Sequence, residues 1–341
     1  MAEVTIRDIA EHSGVSYSTV SRALSGLDNV KESTRAKVLE AADQLGYVVN
    51  RQARSLAGGG YQVVGLLVHG LESDYFGQIL KGVDEALAQA NFEMMLFTTH
   101  RYKDKEIGHA IRLMSGLTDG LLIVLPEGHQ AYVRSLQEKA IPYVLVDAGA
   151  VEESATVSAT NAEGAYDATR YLLELGHRRI GFITGNLNSP VAVHRFEGYR
   201  QALEDFNVPF DIGLVREGNF MQERGREAAF ELLSRAGRPS AIFASNDESA
   251  FGVLEAAEAL NIPVPGELSI VGFDDLPASQ YAVPKLTTVR QPVREMGKVA
   301  AELLLGQLRH DRPTASVRLP TELVIRSSCA PLGGAHKERT N

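Results

Sequence analysis

The 341-residue chain has one cysteine, Cys329, and no tryptophan. A lone thiol forms no internal disulfide and no cysteine-rich metal site, so a reducing, cytoplasmic compartment is expected. There is no apolar run of about 18 residues, so no segment is expected to span a membrane. Met1-Ala2-Glu3-Val4-Thr5 has no basic flank ahead of an apolar stretch, and no secretory signal is expected. No Gly-x-Gly-x-x-Gly opens a helix after a strand, and no lysine closes a glycine-rich phosphate loop. The nine histidines show no metal-ligand spacing. No cofactor, no metal and no catalytic residue are therefore expected. Positive charge is short as well: 34 basic against 43 acidic side chains leave a formal charge of −9. On that total alone, nucleic acid is an unpromising partner.

What is present is an ordinary soluble composition, 44% hydrophobic, long enough for two or three domains with a large core. The charge is unevenly placed. The first sixty residues carry seven basic and seven acidic side chains, so the whole negative excess lies beyond them. The two parts call for separate readings.

The first part reads as three short helices. Thr5-Ile6-Arg7-Asp8 has the form of a capping box, opening a helix to about Ser13 that buries Ile6, Ile9 and Ala10. Gly14 follows as a turn residue free to take positive φ. Ser16 caps a second helix to about Leu24, burying Val20, Ala23 and Leu24. A third, about Glu32 to Leu45, buries Val38, Ala41 and Leu45 and stops at Gly46. Two short helices joined by a tight glycine turn form the helix-turn-helix pattern, although any small helical bundle shares it. The outer side of the second helix decides between them. Tyr17, Ser18, Ser21 and Arg22 stand where a solvated face would mix Glu with Lys, and such groups hydrogen-bond base edges and phosphates.

From Gln62 the pattern alternates. Apolar strands are expected at Val63–Val68, Met94–Thr99, Gly120–Leu125 and Tyr143–Asp147, then at Ile180–Thr184, Leu214–Glu217, Ala241–Ser245 and Ser269–Phe273. Helices fall between them, near Phe76–Ala90, Asp104–Met114, Ala131–Lys139, Ala162–Leu175, Val191–Phe206, Gln222–Ser234 and Glu248–Leu260. Apolar strands alternating with amphipathic helices indicate parallel, doubly wound sheets, and two series indicate two lobes. Thr287–Arg290, Val293–Gln307 and Val317–Arg326 are expected to cross back between lobes. Ligands of open α/β sheets sit at the carboxyl ends of strands. Asp147, Asn246, Asp247, Asp274 and Asp275 follow such ends, with Asp247 expected as a helix cap.

The run Val4-Thr5-Ile6-Arg7-Asp8-Ile9-Ala10, then Gly14-Val15-Ser16, Thr19-Val20-Ser21-Arg22, Ser33-Thr34-Arg35 and Leu45-Gly46-Tyr47 resembles the headpiece of the lactose-repressor (LacI/GalR) family of transcription regulators. The resemblance implies an N-terminal all-α helix-turn-helix headpiece with a hinge helix. These are joined to an α/β core of two doubly wound parallel-sheet lobes, like the type I periplasmic binding proteins. The implied organisation is a headpiece over 1–48, a hinge and glycine linker over 49–61, a core over 62–330 and a tail over 331–341. Within the core, lobe one takes about 62–160 plus 290–320, and lobe two about 161–289 plus 321–330.

The resemblance also implies partners and sites. The second helix enters the major groove of a pseudo-palindromic operator, and Thr5, Ser16, Tyr17, Ser18, Thr19, Ser21 and Arg22 are the expected contacts. Asn50, Ala53 and Arg54 belong to the implied hinge helix, and Leu56 wedges into the minor groove. In the core, Tyr75, Phe76, Asp147, Arg195, Phe220, Asn246, Asp274 and Gln291 match the effector pocket. Carboxylates, an amide and a guanidinium suit vicinal hydroxyls, and the aromatic rings offer flat faces to a pyranose. Thr160 stands where purine-binding members carry an acid, which favours a sugar or glycoside. The expected protein is a homodimeric, sugar-controlled repressor. The tail lacks leucine heptads, so a tetramerising coiled coil is not expected. The alternative is a non-regulatory sugar-binding protein, or a glycoside-acting enzyme, on the same fold.

Overall fold

A computed structural model describes residues 4–24, 30–47, 60–99, 116–126, 130–149, 153–309 and 315–333, with 108, 111, 114 and 151. Contacts divide the chain into two units, residues 1–62 with 117–119 and the remainder. Asn50, Ala53, Arg54 and Leu56 lie outside the described residues, as does most of the helix expected over Asp104–Met114.

The N-terminal unit has three helices, α1 (Ile6–Ser13), α2 (Tyr17–Leu24) and α3 (Glu32–Leu45). The capping box forms at Thr5: its N–H and its hydroxyl both donate to Asp8 Oδ2 at 2.7 Å. Gly14 ends α1 at φ 64°, a left-handed turn that costs glycine little. Ile9, Val20, Ala23, Val38, Ala41 and Ala42 form a small core. Ile6, Ala10, Leu24 and Leu45 are only half-buried against it, because so small a bundle has no second layer to cover them. Arg35 donates to the Ala23 carbonyl at 2.9 Å, tying α3 to the end of α2.

The larger unit holds two six-stranded sheets, ordered β11-β5-β4-β3-β1-β2 and β12-β10-β9-β8-β6-β7. The first sheet comprises β1 (Val63–Val68), β2 (Glu93–Thr98), β3 (Gly120–Val124), β4 (Tyr143–Val146), β5 (Ala155–Ala159) and β11 (Ser316–Leu319). The second comprises β6 (Ile180–Thr184), β7 (Val215–Glu217), β8 (Ala241–Ala244), β9 (Ser269–Asp274), β10 (Thr287–Arg290) and β12 (Glu322–Val324). Every pairing is parallel except β10 with β12. Central strands such as β1, β3 and β6 are buried along their whole length, as helix-covered parallel strands must be. Lobe one is covered by α4 (Asp74–Gln89), α5 (Gln130–Glu138) and α10 (Val293–Leu308). Lobe two is covered by α6 (Asn161–Glu174), α7 (Pro190–Asp205), α8 (Gln222–Leu233) and α9 (Asp247–Ala259).

One expectation needs correction. β5 is absent from the strands expected on sequence: Ala155-Thr156-Val157-Ser158-Ala159 carries small and polar residues, yet it pairs on both sides. Across Val317–Arg326, expected to cross between lobes, run two strands, β11 and β12, in different sheets. Pro320 lies between them and lacks the N–H a continuous ladder needs.

The chain passes between lobes three times, after β5, after β10 and after β11. The first and third passages are bonded together. The Thr321 N–H donates to Thr160 Oγ1 at 2.9 Å, and the Thr321 hydroxyl to the Thr160 carbonyl at 3.2 Å. Thr160 is thus a seam between passages. Among the described residues no helix is long and apolar enough to cross a membrane.

Candidate functional site

In the N-terminal unit, α2 contains no acidic residue. Ser16, Tyr17, Ser18 and Arg22 are exposed on it, and Thr5 is exposed at the head of α1. Tyr17 leaves 55% of its surface to solvent. Thr19 and Ser21 are half-buried. The Thr19 hydroxyl lies 2.8 Å from that of Ser16, within the cap of the helix. Arg22 uses its Nε on the Ser18 carbonyl at 3.1 Å, which holds the guanidinium alongside the helix. The arrangement is a short, acid-free helix presenting hydroxyls, a phenol and a cation.

In the core, strand ends of both sheets converge on a cavity of about 570 Å³. That volume suits a small organic ligand. Tyr75, Phe76, Asp147, Arg195, Phe220, Asn246 and Asp274 all line it. Gln291 does not. It stands behind Asp274, its Nε2 donating to Asp274 Oδ1 at 2.6 Å.

Arg195, on α7, is only 2% exposed and organises the site. Its Nε donates to Asn161 Oδ1 at 2.8 Å and its Nη1 to the Ser245 carbonyl at 2.5 Å. Nη1 is 3.5 Å from Asp274 Oδ1. The guanidinium carbon lies 3.8 Å from the Phe273 ring centre and 5.7 Å from that of Phe220. Burial lowers its pKa, while Asp274 and Asp147 raise it.

Asp147 sits just past β4 at φ 55° and accepts the Tyr75 hydroxyl on Oδ2 at 2.6 Å. Its Oδ1 is buried and accepts no hydrogen bond of ordinary geometry. Burial raises the Asp147 pKa, while the Tyr75 hydroxyl and Arg195 lower it. Asp274 lies well above the ordinary carboxylate range, chiefly through burial, with Arg195 opposing. The sequence reading gives Tyr75 the part of a flat ring. The structure instead uses its hydroxyl to hold Asp147, and its ring packs edge-on to Phe76 at 5.5 Å.

The turn after β7 places Asn219 and Phe220 at φ 51° and 58°. The Phe220 ring lies over Gly185, where a Cβ would come within 2.0 Å of it. Asn246, rather than Asp247, caps α9, accepting from the Ser249 N–H at 3.0 Å and donating to the Phe220 carbonyl at 3.1 Å. Asp247 turns inward instead, accepting from the Leu276 N–H and the hydroxyls of Ser279 and Thr288. Three donors on a fully buried carboxylate serve it better than the helix end would.

Several lining residues are not singled out by the sequence reading: His69, Glu72, Ser189, Asn219, Gln222, Glu223 and Glu248. Asn161 stands out in the sequence only as the neighbour of Thr160, yet its carbonyl oxygen fixes Arg195. Its one signal is its place at a helix start directly after an interlobe passage.

Comparison with known proteins identifies the two parts of the chain that hold these residues. Residues 5–50 match the model of the bacterial regulatory proteins of the lacI family, and 169–329 that of the periplasmic binding protein-like domain. The HTH-type transcriptional repressor PurR of Yersinia pestis is 34% identical over 332 residues, 96% of this chain and 97% of that protein. A complex of the transcriptional regulator CelR with cellobiose is 32% identical, with a TM-score of 0.74, over 96% of this chain and 100% of that one. The lac repressor dimer bound to operator and the anti-inducer ONPF is 26% identical, with a TM-score of 0.87, over the same shares. The chain belongs to the lacI family of bacterial regulatory proteins: it is a DNA-binding transcriptional regulator under small-molecule control, not an enzyme.

Proposed function

We propose that this repressor acts in the cytoplasm as a homodimer on a pseudo-palindromic operator, and that a sugar or glycoside in the core cavity releases it. The observation that carries the sugar reading is the cavity wall itself, which sets the buried Asp147 carboxylate and the Arg195–Asp274 pair beside the Phe220 ring. A hydroxyl both donates and accepts. Vicinal hydroxyls therefore satisfy Asp147 and Arg195 together, while Phe76 and Phe220 cover the apolar face of the ring. The CelR complex with cellobiose supports the same class. On the DNA side, Thr5, Ser16, Thr19 and Ser21 hold phosphates or bases beside Tyr17, Ser18 and Arg22. Asn50, Ala53 and Arg54 support a hinge from which Leu56 wedges the central step. A ligand that prefers one lobe geometry shifts the DNA-competent population.

The test is operator binding of the full chain titrated with neutral sugars. Release by a sugar supports the reading, and release only by nucleobases overturns it. Arg22→Ala should cut discrimination between operator and random DNA about tenfold or more in gel-shift titrations, as loss of one bidentate base contact does. Equal losses on both duplexes would exclude base reading.

The buried carboxylates give the site a pH dependence. Burial raises Asp147 and Asp274 in the free protein. Ligand hydroxyls donate to the charged form and lower both pKa values in the complex. Sugar binding should therefore release protons, so affinity is full above the raised free-state values and is lost as pH falls through them. Calorimetry in two buffers of different ionisation enthalpy reads this directly. Proton uptake on binding would contradict it.

A further inference from the structure

The cavity assigned to a sugar is more negative than a neutral sugar requires. Among the described residues five carboxylates line it, Glu72, Asp147, Glu223, Glu248 and Asp274, against one guanidinium, Arg195. Arg195 is engaged at the inner end, within 3.5 Å of Asp274. Glu72, Glu223 and Glu248 form no ion pair with a basic side chain among the described residues, although arginine–carboxylate pairs occur elsewhere on the core.

The glutamates come from both lobes. Glu248 opens α9 in lobe two, where burial and Asp74 of α4 in lobe one raise its pKa and the Ser73 hydroxyl lowers it. Glu72 folds back along the wall, its Oε2 lying where a Cβ on Gly70 would come within 2.0 Å. Glu223 lies in the first turn of α8. Independently of these, Asp147 is 1% exposed, lines the same cavity and has an Oδ1 that accepts no hydrogen bond of ordinary geometry. The site thus has acceptors and negative charge beyond what its own groups use.

We propose that the effector carries an ammonium group: an amino sugar or a glycoside of one, with hydroxyls on Arg195, Asp147 and Asp274 and the amine among Glu72, Glu223 and Glu248. This rests on the sugar reading of the cavity and narrows it. An ammonium donates three hydrogen bonds and accepts none, which matches a rim made of acceptors. Sugar phosphates and other anions are repelled by the same rim.

The test uses the full chain at pH 7 with matched pairs: glucose and glucosamine, galactose and galactosamine, cellobiose and the β-1,4-linked glucosamine disaccharide. Thermal shift ranks them, and calorimetry at 50 and 300 mM salt measures the best pair, conditions that span about 14 and 6 Å of screening. The amine member should bind about tenfold tighter. N-acetylation should remove the gain, high salt should shrink it, and the Glu223→Gln, Glu248→Gln double variant should bring the ratio towards one. A neutral or N-acetylated member that binds as tightly as the amine overturns the ammonium proposal and leaves the sugar reading standing. Failure of every pair to shift the melting temperature overturns the sugar reading itself, and the proposal with it.

Discussion

Arg195→Ala is expected to abolish the effector response and to lower core stability by about 3–5 kcal/mol, the usual loss when one partner of a buried ion pair is removed. The side chain is 2% exposed and joins Asn161, the Ser245 carbonyl and Asp274, so its removal strands three acceptors at once. It also uncovers the face of Phe273, 3.8 Å away. The sign of the pH dependence follows from the carboxylates. Asp274 and Asp147 already lie above their ordinary values, and Arg195 pulls both down. Without it both rise further in the folded state. A carboxylate with a raised folded pKa contributes stability at low pH that is lost as pH rises through that value. The gap between variant and parent should therefore widen from pH 5 to pH 7.5. Arg195→Lys retains a cation but not the planar fork, so it should recover part of the stability and little of the effector affinity. Melting curves at both pH values and calorimetry with the effector check each point. An Ala variant that binds effector within twofold of the parent would remove Arg195 from the site.

How much of this is legible in the sequence depends on how far each residue's role is local. The strands that end at Asp147 and Asp274 are continuous apolar runs, so the carboxylates that follow them stand out. Arg195 and Phe220 come from the family resemblance, and the cavity contains both. Gln291 reads like its neighbours along the chain, yet Asp274 stands between it and the cavity, a relation set by the pairing of β10 with β9. The rim glutamates are invisible for the opposite reason. Glu72, Glu223 and Glu248 look like ordinary acids near helix starts, which the helix dipole favours anyway. Only the closing of two lobes on one cavity brings them together. Asn161 and Asp247 show the same limit, because their partners lie 34 and up to 41 residues away in sequence.

Gly198→Ala should weaken both the fold and the site, although alanine is the better helix former. Gly198 lies in the middle of α7, one turn beyond Arg195, where α7 crosses α6. A Cβ there would come within 2.1 Å of the Ala162 carbonyl oxygen and 2.8 Å of the Tyr166 nitrogen, both backbone atoms of α6. Backbone does not rotate out of the way, so one helix must move. Exchanging glycine for alanine in a helix gains about 0.5–1 kcal/mol, while overpacking of this kind costs about 1–3 kcal/mol, so the clash decides the sign. The movement also reaches the ligand. Asn161 begins α6 and Arg195 lies on α7, and the 2.8 Å bond between them spans that same crossing. Parting the helices loosens the guanidinium from its anchor, and effector affinity should fall about tenfold or more, as happens when supporting groups shift by about 1 Å. Gly77 is the control. It lies in α4 with nothing within 4 Å of the place a Cβ would take, so Gly77→Ala should raise the melting temperature slightly. If Gly198→Ala is also stabilising, the close crossing of α6 and α7 does not constrain the site.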